Sequence, residues 1–132
     1  MLTLETPGVA DYCRLRRITG LTPRSEIAAA AGLPRTVVGV LVRHDGRAVG
    51  MGRAIGDGLH FQIVDIAVDP AHQGAGLGKA IMAALMDDLA ARVPAEAYVS
   101  LIADGEACRL YEQFGFRPTA PASIGMAQWL GR

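Results

Sequence analysis

Charge of one sign, cysteine and long apolar runs are all in short supply in this chain, and each shortage removes a class of function. Thirteen Lys and Arg residues balance thirteen Asp and Glu, so no net charge draws the protein toward nucleic acid or an anionic membrane surface. Neither is an expected partner, and recognition has to be local. The two cysteines, Cys13 and Cys108, follow no secretory leader and read as reduced, buried thiols. No basic segment followed by an apolar stretch opens the sequence, and no apolar run approaches the roughly 20 residues that cross a bilayer. A cytoplasmic protein is the expectation. His, Cys and carboxylate residues nowhere fall at metal-ligand spacing, so no metal is expected.

What is present suits one domain. At 132 residues and 51% hydrophobic composition, residues 1–132 form one core without room for a second. A chain of this size buries roughly two thirds of its unfolded surface and needs neither disulfide nor structural metal.

The pattern along the chain gives an element order. Val9 to Ile18 reads as a short helix, and Thr22-Pro23 as the cap and first turn of a second one through Ala31, stopped by Gly32 and Pro34. Thr36 to Val42 is rich in branched residues; Asp45-Gly46 is a hairpin turn, and Ala48 to Ile55 is the return strand. Gly56-Asp57-Gly58 turns the chain again. Phe61 to Val68 is almost continuously apolar, as in a central strand covered on both faces, and Pro70 ends it. Leu77, Ile81, Leu85 and Leu89 recur at helical spacing between Gly76 and Arg92. Tyr98 to Ala103 reads as a strand, Asp104 as the cap of a helix carrying Ala107, Leu110, Tyr111 and Phe114, and Phe116 to Trp129 as the last strands. Interleaved strands and helices after an antiparallel start predict a mixed α/β fold, a mixed sheet with helices on both faces.

The segment richest in chemistry runs from Val68 to Lys79: a strand end, a turn holding Gly74, Gly76 and Gly78, and a helix start. Such a turn lets ligand atoms approach the main chain, and the helix start offers unpaired N–H groups to a phosphate. Two phosphate motifs fail on spacing. A P-loop needs a glycine where Gln73 stands and Ser or Thr where Ala80 stands, and the G-x-G-x-x-G of dinucleotide folds is absent.

Gln73-Gly74-Ala75-Gly76-Leu77-Gly78 resembles the Q/R-x-x-G-x-G/A signature of the GNAT family of N-acetyltransferases, and Asp65 to Pro70 is similar to that family's approach strand. Ala107 to Phe116 resembles its A-x-x-L-Y-x-x-x-G-F segment. The resemblance implies a single-domain GNAT-like fold, a central mixed, mostly antiparallel sheet of about six or seven strands with helices on both faces, that binds acetyl-coenzyme A and passes acetyl to a primary amine, on a small molecule or a protein. It implies that Ile66, Ala67 and Val68 pair with the pantetheine arm in a gap between the fourth and fifth strands. The amides of Gln73, Gly74, Ala75, Gly76, Leu77, Gly78 and Lys79 would hold the pyrophosphate. Asp104 stands where many relatives carry an asparagine that contacts the cofactor arm. Pairing of small relatives through their last strands implies a homodimer, for which the apolar stretch Ile124 to Leu130 is suited.

Thioester aminolysis needs an unprotonated amine, a donor to the developing oxyanion and a proton for the departing thiolate. By the same resemblance Tyr111 is the general acid, and an ordinary tyrosine, with its pKa of about 10, is protonated at neutral pH. The oxyanion donor would be the amide of Ile66 or Val68. Gln62, expected to bind the acceptor substrate with His60, falls where some relatives place a glutamate that acts as base, so that direct carboxylate route is missing. Asp65, an acid inside an apolar strand, is either the base or a paired structural carboxylate. His60, Asp57, Arg53 and Arg24 are candidates for the acceptor side, whereas His44 and His72 read as solvated. Cys108, on an apolar helix face, reads as an inert thiol. The alternative to an enzyme is a module that binds acyl-coenzyme A without turnover.

Overall fold

Asp45 and Gly46 both take positive φ, +50° and +77°, the backbone of a tight two-residue hairpin turn. In the computed structural model, which describes residues 1–131, that turn joins β2 (Val38–His44) to β3 (Arg47–Gly56). β4 (His60–Val68) adds antiparallel to β3, and β5 (Tyr98–Leu101) adds parallel to β4. A two-residue strand, β1 (Leu2–Thr3), borders β2, which makes five strands in the order β1-β2-β3-β4-β5. The helices are α1 (Val9–Ile18), α2 (Glu26–Gly32), α3 (Leu77–Arg92) and α4 (Cys108–Glu112).

Alternation along the strands divides the core into two layers. Val40, Val42, Val49, Phe61 and Ile63 face α3, whose Ile81, Met82, Leu85 and Leu89 are all at most 1% exposed. Burying each of those four stabilises by roughly 1.5–3 kcal/mol. On the other face Leu41, Met51 and Ala67 meet Tyr12 and Leu15 of α1 and Ala29 of α2. The sheet is thus mixed and covered on both sides, as its sequence pattern predicts.

Four expectations change. The sheet has five strands among the described residues, not six or seven. Phe116 to Trp129 contributes none of them: the stretch carries Pro118 and Pro121, which have no N–H for a ladder, and from Arg117 onward it is exposed, with no face to bury. α2 opens at Glu26 and not at Thr22-Pro23, because the Ser25 hydroxyl accepts from the Ala28 amide at 3.0 Å and so caps the helix there. Asp104 makes no side-chain cap; Gly105–Ala107 is a 3-10 turn that precedes α4.

Candidate active site

The site is assembled where β4 loses one of its two neighbours. β5 pairs with β4 only from His60↔Tyr98 to Ile63↔Leu101, so from Val64 to Val68 the β5-facing edge of β4 is open. On its other side β4 stays paired to β3, and Asp69 donates to the Val49 carbonyl at 2.8 Å. Amides alternate along an antiparallel strand, so Val68 turns its N–H and C=O toward the open edge. Gln73 Nε2 reaches that carbonyl at 3.2 Å, tying the glycine loop to the end of the strand.

The loop follows through a 3-10 turn, Pro70–His72. Gly76, at φ +77°, is the N-cap of α3, a left-handed conformation in which a side chain would be strained. The amides of Leu77, Gly78 and Lys79 open a 16-residue helix and have no intrahelical acceptor. Their dipole end points out of the loop, a ready anion site beside the open strand edge.

β4 is also kinked in the middle. Asp65 and Ile66 together oppose Gly52 of β3, between the pairs Met51↔Ala67 and Arg53↔Val64. Asp65 takes φ +59° at this bulge, a conformation Asp tolerates better than most residues. The kink sends Ile66 toward α3, and Gly52 makes room for it: a Cβ there would lie 2.7 Å from Ile66 Cδ1 and 2.6 Å from Ile81 Cγ2.

The Asp65 carboxylate points the other way, beneath α1. Arg16 Nη1 donates to Oδ1 at 2.5 Å, and Arg53 Nε and the Tyr12 hydroxyl donate to Oδ2 at 2.9 and 3.1 Å. Its side chain is 6% exposed. Burial, and secondarily the Asp65 charge, push the Tyr12 hydroxyl above its ordinary pKa and keep it a donor. With three donors on two oxygens, Asp65 is a paired structural carboxylate that pins α1 to the bulge. The catalytic reading of Asp65 is corrected on that ground, because a general base needs a free lone pair aimed at the substrate.

Between the open edge of β4, the end of β5, α4 and the α1–α2 layer lies a cavity of about 610 Å³. Gln62, Asp65, Ile66, Asp104 and Tyr111 line it. Tyr111 also borders a second cavity of about 600 Å³ beyond β5 and is half-buried. Burial first, and then the nearby Asp104 charge, raise the Tyr111 pKa above 10, so the phenol holds its proton throughout the neutral range.

The structure therefore brings Gln62, Ile66, Asp104 and Tyr111 to one cavity and sets Ala67, Val68 and Gln73 to Lys79 along the edge and loop that lead to it. His60 does not join them. It sits exposed at the far end of β4, its ring 6.1 Å from Tyr98, because strand direction carries it away from the open end. Sequence reasoning missed Tyr12, Arg16 and Trp129. A signal for the first two was present: Tyr12, Leu15 and Arg16 fall on one face of α1, and a charge on a buried face needs a partner. Trp129 had none, since it comes back to the cavity through an irregular segment.

The profile of the acetyltransferase (GNAT) domain matches residues 36–118, from just before β2 past Tyr111. Rice serotonin N-acetyltransferase 2, a chloroplast protein, is 38% identical over 88 residues, 66% of this chain and 43% of that one. The Arabidopsis thaliana chloroplast protein GCN5-related N-acetyltransferase 1 is 32% identical over 120 residues, 77% of this chain and 60% of its own. The chain thus spans roughly half the length of the curated relatives it matches. Among solved structures, a Staphylococcus aureus protein of unknown function, named a probable acetyltransferase, superposes with a TM-score of 0.93 at 44% identity over 98% of both chains. The profile match covers the strand, the glycine loop and the tyrosine helix together, and on that basis the chain belongs to the GNAT acetyltransferase family.

Proposed function

We propose that this protein transfers acetyl from acetyl-coenzyme A to a primary amine by direct attack, with Tyr111 as general acid. The observation that supports it most is the unpaired edge of β4, which runs from the glycine loop to the cavity that Tyr111 lines. A peptide-like pantetheine arm can add to that edge as a further strand. In this reading Ile66, Ala67 and Val68 take the arm, the amides of Gln73 to Lys79 take the pyrophosphate, and Gln62 faces the acceptor; Asp104, expected on the cofactor arm, is moved to the acceptor side, since a carboxylate accepts hydrogen bonds but cannot donate one as the asparagine of relatives does. The thioester then lies near Tyr111, with an amide of Ile66 or Val68 as donor to its oxygen. The amine nitrogen bonds to the acetyl carbon, the carbon–sulfur bond breaks, and the thiolate takes the phenolic proton of Tyr111. The proton that the amine gives up leaves to water. Asp65 positions the bulge and no side chain is assigned as base. The rice relative is named for serotonin, an amine.

The test is thiol release from acetyl-coenzyme A across a panel of amines. Tyr111→Phe should lower amine-dependent release by about 10²- to 10⁴-fold, the usual contribution of a general acid. Gly76→Glu, which strains the N-cap and sets a carboxylate against the pyrophosphate, should abolish coenzyme A binding. If the native protein binds acetyl-coenzyme A but no amine provokes thiol release, it is a binding module and not a transferase.

A further inference from the structure

Five charged residues line the 610 Å³ cavity, three arginines and Asp65 on the side of α1 and α2 and Asp104 on the side of α4. At the thioester end stands Asp104, close enough to Tyr111 to act on its titration. At the α1–α2 end stand three arginines, Arg16, Arg24 and Arg53, against the one carboxylate of Asp65. Arg16 and Arg53 are directed at that carboxylate, and their remaining bonds go to the Thr22 carbonyl and the Thr36 hydroxyl. Nη2 of each is left without a protein acceptor among the described residues. Arg24 has neither an acidic partner nor a hydrogen-bond acceptor among those residues; its guanidinium lies 4.5 Å from the centre of the Trp129 ring. Stacking on an indole fixes the plane of a guanidinium while leaving its N–H fork available.

We infer that the acceptor is an amine that also carries an anionic oxygen group, a carboxylate or a phosphate, which Arg24 receives while Asp104 draws the amino end toward Tyr111. The inference rests on the transferase reading above and adds the acceptor's second charge. A planar guanidinium held against a ring matches two oxygens of such a group at once. The excess of positive charge at this end, three guanidiniums to one carboxylate, disfavours an acceptor with a second cation, and a neutral tail leaves the Arg24 donors to water. The Trp129 ring and the apolar wall of Leu21, Ala28 and Leu33 suit the hydrocarbon that separates the two charged ends.

The experiment compares ω-amino carboxylates of increasing length, the phosphate esters of matching amino alcohols, and the uncharged amides of the same amino acids. The native protein should use the anionic members with kcat/KM at least about tenfold above the matching amides, the difference one charge-assisted pair commands. Arg24→Gln should close that difference through KM, and Arg24→Lys should restore part of it. A preference confined to carboxylates or to phosphates identifies the source of the anion. Equal use of amides and anions, or a loss in Arg24→Gln shared by both series, would overturn the inference while leaving the transferase reading intact. If no acceptor is acetylated, calorimetric titration of the same compounds decides. Binding of the anionic series that Arg24→Gln removes keeps the anion site even as the transferase reading falls; absence of such binding overturns it.

Discussion

Asp65 concentrates the physics of this site in one residue. It holds a left-handed backbone at a bulge, and it is the counter-ion of two buried arginines. The two roles separate by substitution. Asn tolerates the left-handed conformation nearly as well as Asp, so Asp65→Asn removes the charge and spares the backbone. Leaving two guanidiniums without their carboxylate should cost about 3–5 kcal/mol. For a chain of this size that lowers the thermal midpoint by on the order of 10 °C or more. Differential scanning calorimetry checks the value. An unchanged midpoint together with abolished turnover would return Asp65 to the role of base. The sequence made Asp65 conspicuous as an acid in an apolar strand, yet it was silent on the partners, because Arg16 and Tyr12 lie about fifty residues away along the chain.

At the scale of elements, the hairpin, the central strand and α3 were legible because each rests on local terms: turn chemistry, branched residues and a four-residue stripe. The bulge in β4 was not. It depends on Gly52 lying opposite Asp65 and Ile66, a pairing set by register and not by any neighbour in sequence. Gly52→Ala tests that dependence, since the new methyl would sit 2.6 Å from Ile81 Cγ2 and 3.0 Å from Leu85 Cδ1, both in the core. Overpacking of this kind costs about 1–3 kcal/mol, read as a lower urea midpoint with unchanged slope. If Gly52→Ala is as stable as the native protein, the Ile66 and Ile81 side chains have room to give way and the close approach at Gly52 is not what shapes the bulge. The same scale explains the gap: β5 is four residues long against nine in β4, and a short strand beside a long one leaves an edge unpaired.

For the whole molecule, the outer edge of β5 has no partner strand among the described residues, and Ile124, Met126 and Leu130 are 71%, 86% and 89% exposed. Unpaired edges and exposed apolar side chains are what a second copy covers. We therefore expect a homodimer in sedimentation equilibrium, and a shift to monomer in the Met126→Asp, Leu130→Asp double variant. A native protein that sediments as a monomer at all concentrations would overturn this. The last segment also shows how a single long-range return can matter, because Trp129 reaches Arg24 from the opposite end of the chain.

The resemblance of its last helix to the GNAT segment singled out Tyr111; by itself the sequence determined the mixed α/β class, the order of the main elements and the glycine loop. Each of these is written in the identity and spacing of residues near one another along the chain, where periodicity and turn propensity act. Only the tertiary structure decided the number of strands, the extent of the open edge, the Tyr12–Arg16–Arg53–Asp65 cluster and the gathering of Arg24, Asp104 and Tyr111 around one cavity. Those features arise from which side chains meet across the sheet, and burial gives a charge its partner only after the chain has folded around it.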